Sequence, residues 1–108
     1  MEKVVWKGQS GKEYTFDVYS LNTAFNEVRC VYIYTKIADG EWKAVYVGQT
    51  SQLGTRLGQH SNGNGDSDKC IQQSRATHLH VHVLTPESSR LNVETDIRNN
   101  YKWSCNMQ

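Results

Sequence analysis

Two runs, Arg29-Cys30-Val31-Tyr32-Ile33-Tyr34-Thr35 and Ala44-Val45-Tyr46-Val47-Gly48, constrain what this chain can fold into more than any other feature. Both are dense in β-branched and aromatic residues, which suit a pleated, half-buried surface. The linker between them carries Asp39-Gly40, a turn signal, so the runs read as an antiparallel pair. Successive strand side chains point to opposite faces, so Val31, Ile33, Val45 and Val47 can share one buried face. Tyr32, Tyr34, Tyr46 and Gly48 then fall on the other, and phenols line one side of the sheet.

The remaining segments supply partners for that pair. Val4-Val5-Trp6, a Gly8-Gln9-Ser10-Gly11 turn, and Tyr14, Phe16 and Val18 at period two predict an N-terminal β-hairpin. Leu21 to Glu27 reads as a connection. His78-Leu79-His80-Val81-His82-Val83-Leu84 alternates strictly and predicts a third strand, with the histidines on one face. Thr50 to His60 reads as a helix capped by Thr50 or Ser51, with Leu53 and Leu57 on one stripe and Arg56 and His60 on the next. Gly54 and Gly58 oppose it, each costing about 1 kcal/mol relative to Ala. After the loop 61–67, Asp68 or Ser67 caps a short helix through Cys70, Ile71 and Ala76. Thr85-Pro86-Glu87 opens a last helix running to about Tyr101. Leu91, Glu94, Ile97 and Tyr101 recur on it at helical spacing, which sets Glu94 in an apolar inward stripe. A carboxylate there needs a cation, an arginine or partial exposure, because burying it unpaired costs several kcal/mol.

Composition bounds the class. With 108 residues, 37% of them hydrophobic, 21% charged and a single proline, a globular domain is expected rather than a disordered or membrane-embedded chain. No run approaches the roughly 18 apolar residues of a membrane span, and the first residues lack the apolar stretch of a signal peptide, so no membrane association and a cytoplasmic location are expected. Cys30, Cys70 and Cys105 are odd in number and widely spaced, which predicts reduced, buried thiols and neither a disulfide framework nor a zinc ribbon. A formal charge of +1 does not announce a nucleic-acid binder. Trp42 to Gly65 nevertheless holds no Asp or Glu while including Lys43, Arg56 and His60, so that stretch could face an anion.

Read together, Cys30-Val31-Tyr32, Tyr46-Val47-Gly48, Arg56, His60 and Glu94 resemble the GIY-YIG endonuclease domain, and Cys105-Asn106 matches that family's usual closing asparagine. Order and spacing agree as well as letters. Thirteen residues separate Tyr32 from Tyr46, Arg56 follows Tyr46 by ten, and His60 follows by four more. Cys30 stands where the first motif ordinarily opens with glycine, a change that removes no chemical group. The opening hairpin and the phrase Ala76-Thr77-His78-Leu79-His80-Val81-His82 look like small stand-alone members from bacteria or phages.

The resemblance implies an α+β fold, a small antiparallel sheet flanked by helices, with residues 1–28 as hairpin and connection and 29–108 as the catalytic core of one domain. It implies a divalent-metal-dependent endonuclease acting on DNA. In that scheme Tyr32 activates the water, Tyr46 hydrogen-bonds near it, Arg56 binds the scissile phosphate, His60 helps position phosphate or water, and Glu94 holds magnesium or manganese. A phenol has a pKa of about 10, so Tyr32 serves as a base only if Arg56 or the metal lowers it. Lys43, Gly48, Gln49 and Asn106 are the candidate substrate contacts, the bare Gly48 letting phosphate or helix backbone approach. Targeting is expected from a protein partner, since the family normally takes specificity from appended domains. The alternative is a non-catalytic module of the same fold that binds nucleic acid or protein. His78, His80 and His82 could ligate zinc near Cys70, but successive side chains on one strand face lie roughly 6 to 7 Å apart. The plainer expectation for them is a polar outer face or an added surface for DNA.

Overall fold

The computed structural model describes residues 2–106, so the last two positions of the expected core lie outside it. The chain runs β1 (Lys3–Lys7), β2 (Glu13–Ser20), β3 (Cys30–Ala38), β4 (Glu41–Thr50), α1 (Leu53–Asn62), α2 (Asp66–Ser74), β5 (His78–Val83) and α3 (Glu87–Arg98). The strands form one sheet in the order β1-β2-β5-β3-β4, and every neighbouring pair is antiparallel. This is the expected α+β architecture, with the N-terminal hairpin built into the same sheet through β2 and β5. No helix is long and apolar enough to cross a membrane.

The β3–β4 pair closes through Asp39 and Gly40, both at positive φ (55° and 76°), the backbone of a two-residue hairpin turn whose twist matches the strands. β3 lies between β4 and β5, and residues of both its faces are buried. On one side Val31, Ile33 and Val47 pack with Trp6, Phe16, Val93 and Ile97 beneath α3. On the other, Tyr32 and Tyr34 pack with Leu53, Ile71 and Leu79 beneath α1 and α2. Val45 departs from the expected parity. Tyr34 pairs with Tyr46 but Thr35 with Ala44, so Val45 is an extra residue in β4, and this bulge turns it toward the tyrosine-side core.

The histidine strand also differs from expectation. His80 is fully buried, accepting from Trp6 Nε1 at 3.0 Å and donating through Nε2 to Thr35 Oγ1 at 3.1 Å. Burial pushes it down to about 4, so it stays neutral. His78 lies edge-on to Trp42, and His82 Nδ1 donates to the Thr15 carbonyl at 2.8 Å. Of the three imidazoles only His80 is buried, His78 and His82 being partly exposed, and no group of three His, Cys, Asp or Glu fit for a metal exists among the described residues.

Helix ends and thiols follow the tertiary context. Neither Thr50 nor Ser51 caps α1; the Glu27 carboxylate accepts from the Thr55 amide at 2.7 Å and from the Thr55 hydroxyl, filling the positive end of the helix. Gly54 explains itself there, since a Cβ would lie 2.8 Å from the Phe25 carbonyl oxygen. Leu91 is exposed, and the inward stripe of α3 is Arg90, Val93 and Ile97, with Glu94 at its edge. Asp96 pins α3 to the hairpin by accepting from the Ser10 amide, the Ser10 hydroxyl and the Tyr14 phenol at 2.9, 2.6 and 2.7 Å. Cys70 and Cys105 are joined in a disulfide, against the expectation of free thiols, because the chain end folds back over β4 beside α2 and brings their Cα atoms to 5.5 Å. Cys30 remains a buried free thiol, pushed up to about 12 by burial.

That chain end closes the free edge of β4. Cys105 donates its amide to the Val45 carbonyl at 2.9 Å, and the Asn106 side chain takes both backbone groups of Val47, accepting at 2.8 Å and donating at 2.9 Å. Asn106→Ala leaves a fully buried residue's N–H and C=O unpaired and is expected to cost about 1–3 kcal/mol. Urea unfolding reads this as a lower midpoint at unchanged slope; a midpoint equal to wild type means the amide is dispensable.

Candidate active site

The tyrosine face of β3 and β4 carries the constellation. Tyr32 stands directly opposite Gly48, and its ring lies across the glycine so closely that a Cβ would sit 2.5 Å from the phenol oxygen. Gly48 therefore makes room for Tyr32 itself, rather than for phosphate or a helix. Tyr46 stacks obliquely 6.3 Å from the Tyr32 ring, and Tyr34 meets it edge-on at 6.1 Å. Into this set α1 delivers His60 from its last turn, 1% exposed, with ring centres 5.1 to 5.8 Å from those of Tyr46, Tyr34 and Tyr32.

His60 has a partner on each nitrogen. Nε2 lies 2.8 Å from the Tyr32 hydroxyl, and Nδ1 lies 2.8 Å from Asp68 Oδ1 on α2. A carboxylate only accepts, so the neutral ring donates Nδ1–H to Asp68 and accepts the Tyr32 proton at Nε2. Burial lowers the His60 pKa below its ordinary 6.5, partly opposed by Asp68, so the neutral ring prevails at pH 7. Gln72 of α2 locks the same helix end by donating to the carbonyls of His60 and Gly63 at 2.8 and 3.1 Å. Beyond His60 opens a cavity of about 350 Å³ bordered by Tyr34, Leu57, Ile71 and Gln72.

Charge around the phenols runs against one expectation. Burial pushes Tyr32 well above the usual phenol range, Tyr46 adds to the rise, and the neighbouring Arg56 guanidinium pulls it back only in part. Tyr32 is thus a protonated phenol at neutral pH. Tyr46 is also raised by burial, opposed by Arg56 and reinforced by Glu94 and Asp68. Arg56 lies one turn before His60 and is held at one nitrogen by Gln59 at 3.0 Å. From α3, Glu94, with 16% of its side chain exposed, accepts from Arg98 at 3.5 Å. Burial raises its pKa, and Arg98 offsets part of that.

Matching the chain to family models gives the GIY-YIG catalytic domain over residues 28–106. The chain belongs to the GIY-YIG family. Among solved structures, two crystal structures of the GIY-YIG N-terminal endonuclease domain of UvrC from Thermotoga maritima share the fold. Both are tyrosine-to-phenylalanine point mutants bound to a catalytic divalent cation. They match at TM-score 0.62, with 23% and 22% identity, over 77% of this chain and 87% of theirs. No curated protein sequence matches the chain.

Within this GIY-YIG nuclease domain, Tyr32, Tyr46 and His60 lie together with Arg56 beside the two phenols, while Glu94 on α3 has its contact with Arg98. Three other expected contacts are engaged elsewhere. Gln49 accepts from the buried Arg90 at 3.0 Å and ties β4 to α3; Asn106 holds the β4 edge; Lys43 pairs with Glu41 near the hairpin turn. Sequence reasoning missed Asp68 as a site residue and read it as a helix cap, because its approach to His60 depends on how α2 folds back on α1. It also missed Arg90, whose guanidinium is buried on carbonyls of Leu84 and Thr85.

Gly48→Ala tests the close approach. The new methyl must displace the Tyr32 ring and break its bond to His60, so cleavage is expected to fall by at least about 10²-fold while the fold persists. Circular dichroism and single-turnover cleavage check this; wild-type rates in the alanine variant would show that the phenol has freedom to shift.

Proposed function

We propose that the chain is a divalent-metal-dependent endonuclease that hydrolyses DNA phosphodiester bonds. The observation that carries this is the Tyr32 hydroxyl held on a buried, neutral His60 beside the Arg56 guanidinium, which combines a proton acceptor with an anion-binding charge in one cleft. Phosphodiester hydrolysis needs both: a water relieved of its proton, and positive charge where the phosphoryl oxygens gain negative charge.

The residues fit a metal of a particular kind. Glu94 is a largely buried carboxylate with one long contact, and no cluster of three His, Cys, Asp or Glu surrounds it among the described residues. A single carboxylate completed by water and phosphate oxygens is hard-cation chemistry, so magnesium or manganese suits it and zinc does not. Glu94 would hold the ion, which supplies charge stabilisation at the phosphoryl and departing oxygens. The chain's own residues do the rest: Arg56 binds the scissile phosphate, Tyr32 orients the attacking water and takes its proton, and Tyr46 hydrogen-bonds near it. The intact polar set favours this reading over a non-catalytic module, and the divalent cation in the UvrC structures supports the metal.

Incubating supercoiled plasmid with the purified protein, with magnesium, with manganese and with a chelator, tests the function; loss of nicking in chelator and recovery on added metal is expected. Glu94→Gln keeps shape and removes charge, so it is expected to abolish cleavage while folding and DNA binding persist. Cleavage at the wild-type rate in magnesium would dismiss the metal assignment. Tyr32→Phe should slow the single-turnover chemical step by roughly 10²- to 10⁴-fold and Tyr46→Phe by less; the reverse order would exchange their roles. With two to four phosphate contacts, about −2 to −4 is the expected slope of log affinity against log salt. A slope near zero would point to a protein partner.

A further inference from the structure

We propose that Asp68 is a positioning residue that makes His60 the terminal proton acceptor of the reaction, with Tyr32 as the conduit between the attacking water and the imidazole. The inference rests on the hydrolytic reading above and extends it, since that reading left the destination of the proton open.

Three features of the geometry point to it. The three groups form one continuous chain, with 2.8 Å from Asp68 to His60 and 2.8 Å from His60 to Tyr32. Their polarity is set by chemistry: the carboxylate can only accept, so it holds the proton on Nδ1 and leaves Nε2 bare toward the phenol. And Tyr32, buried among aromatic rings, holds its own proton at neutral pH, so it can take one from water only by giving one up. The nitrogen within reach is His60 Nε2.

The step balances. As the water oxygen attacks phosphorus, its O–H bond breaks and that proton joins Tyr32 Oη, while the phenol's original proton passes to His60 Nε2. The electron pair freed on the water oxygen forms the new P–O bond. The P–O bond to the 3′-oxygen breaks, and that oxygen takes a proton from solvent. His60, now a cation inside the protein, is offset by the Asp68 carboxylate and then returns its proton to solvent. Asp68 is 21% exposed and His60 borders the open cavity, which provides the exit. The groups facing His60 are Arg56 on its own helix, Tyr32 and Tyr34 on β3, Tyr46 on β4 and Asp68 on α2. Asp68 is thus the single carboxylate among them, opposite the single guanidinium.

The test uses the full chain in two arms. Single-turnover cleavage of plasmid with magnesium is followed between about pH 5 and 9.5 for wild type, Asp68→Asn and Asp68→Glu. The wild-type rate is expected to rise tenfold per pH unit only while His60 loses its proton, below its ordinary 6.5, and then to level. Asp68→Asn should lower the plateau about 10²-fold with the protein concentration for half-maximal rate unchanged, and should move the rising limb to lower pH, because the imidazolium loses its counter-charge. Asp68→Glu keeps the charge and should restore part of the rate. A wild-type rate that climbs steadily through pH 9 means the phenolate is the base and overturns the proposal. So does an Asp68→Asn loss with an unshifted limb, which is what a merely structural role would give. The second arm needs no activity: nitrogen-15 NMR of the histidines should find His60 with its proton on Nδ1, and a further lowered pKa in Asp68→Asn. Should no nuclease activity be found with any metal, the hydrolytic reading fails by itself, while a His60 protonated on Nε2 refutes the role of Asp68.

Discussion

The structure depends on one close approach, the Tyr32 ring laid across the bare Cα of Gly48 in the middle of the β3–β4 pair. Any side chain at Gly48 would occupy the space of the phenol oxygen. With the ring lying across Gly48, its hydroxyl meets His60 Nε2 on α1 in the protein interior. The burial that results has a chemical consequence, since it raises the phenol's pKa and keeps it protonated at neutral pH.

Holding that hydroxyl in place takes both layers of the fold. On the tyrosine side α1 and α2 lock together through Gln72 and Asp68, and Glu27 fills the start of α1, so His60 is fixed at both ends of its helix. On the other side α3 is bound to the hairpin by Asp96 and to β4 by Arg90, which fixes the helix that carries Glu94. The tail protects the β4 edge with Cys105 and Asn106, where an open edge would leave the backbone of the strand that carries Tyr46 and Gly48 unpaired. The disulfide joins that tail to α2, so the edge of the sheet and the helix bearing Asp68 are covalently one unit.

Several of these features lay open in the sequence because they depend on short-range pattern. Period-two runs located β1 to β5, and Asp39-Gly40 located the turn. Val45 was misplaced because a bulge shifts parity by one residue without any mark in the letters. His80 departs from an outer polar face because imidazole suits a wet surface or a dry core equally, and what decides is whether partners such as Trp6 and Thr35 wait on the other side.

What the sequence determined by itself was therefore the identity of the elements and the residue types at the cleft, since strand periodicity and motif spacing are properties of neighbouring residues. Tertiary structure alone decided who touches whom: that Gly48 serves Tyr32, that Asn106, Gln49 and Lys43 are engaged with protein groups, that Cys70 meets Cys105, and that Asp68 stands behind His60. Those facts follow from two helices and a tail folding back on one sheet. The angle at which they return is set by packing over the whole core, which no local stretch of sequence records.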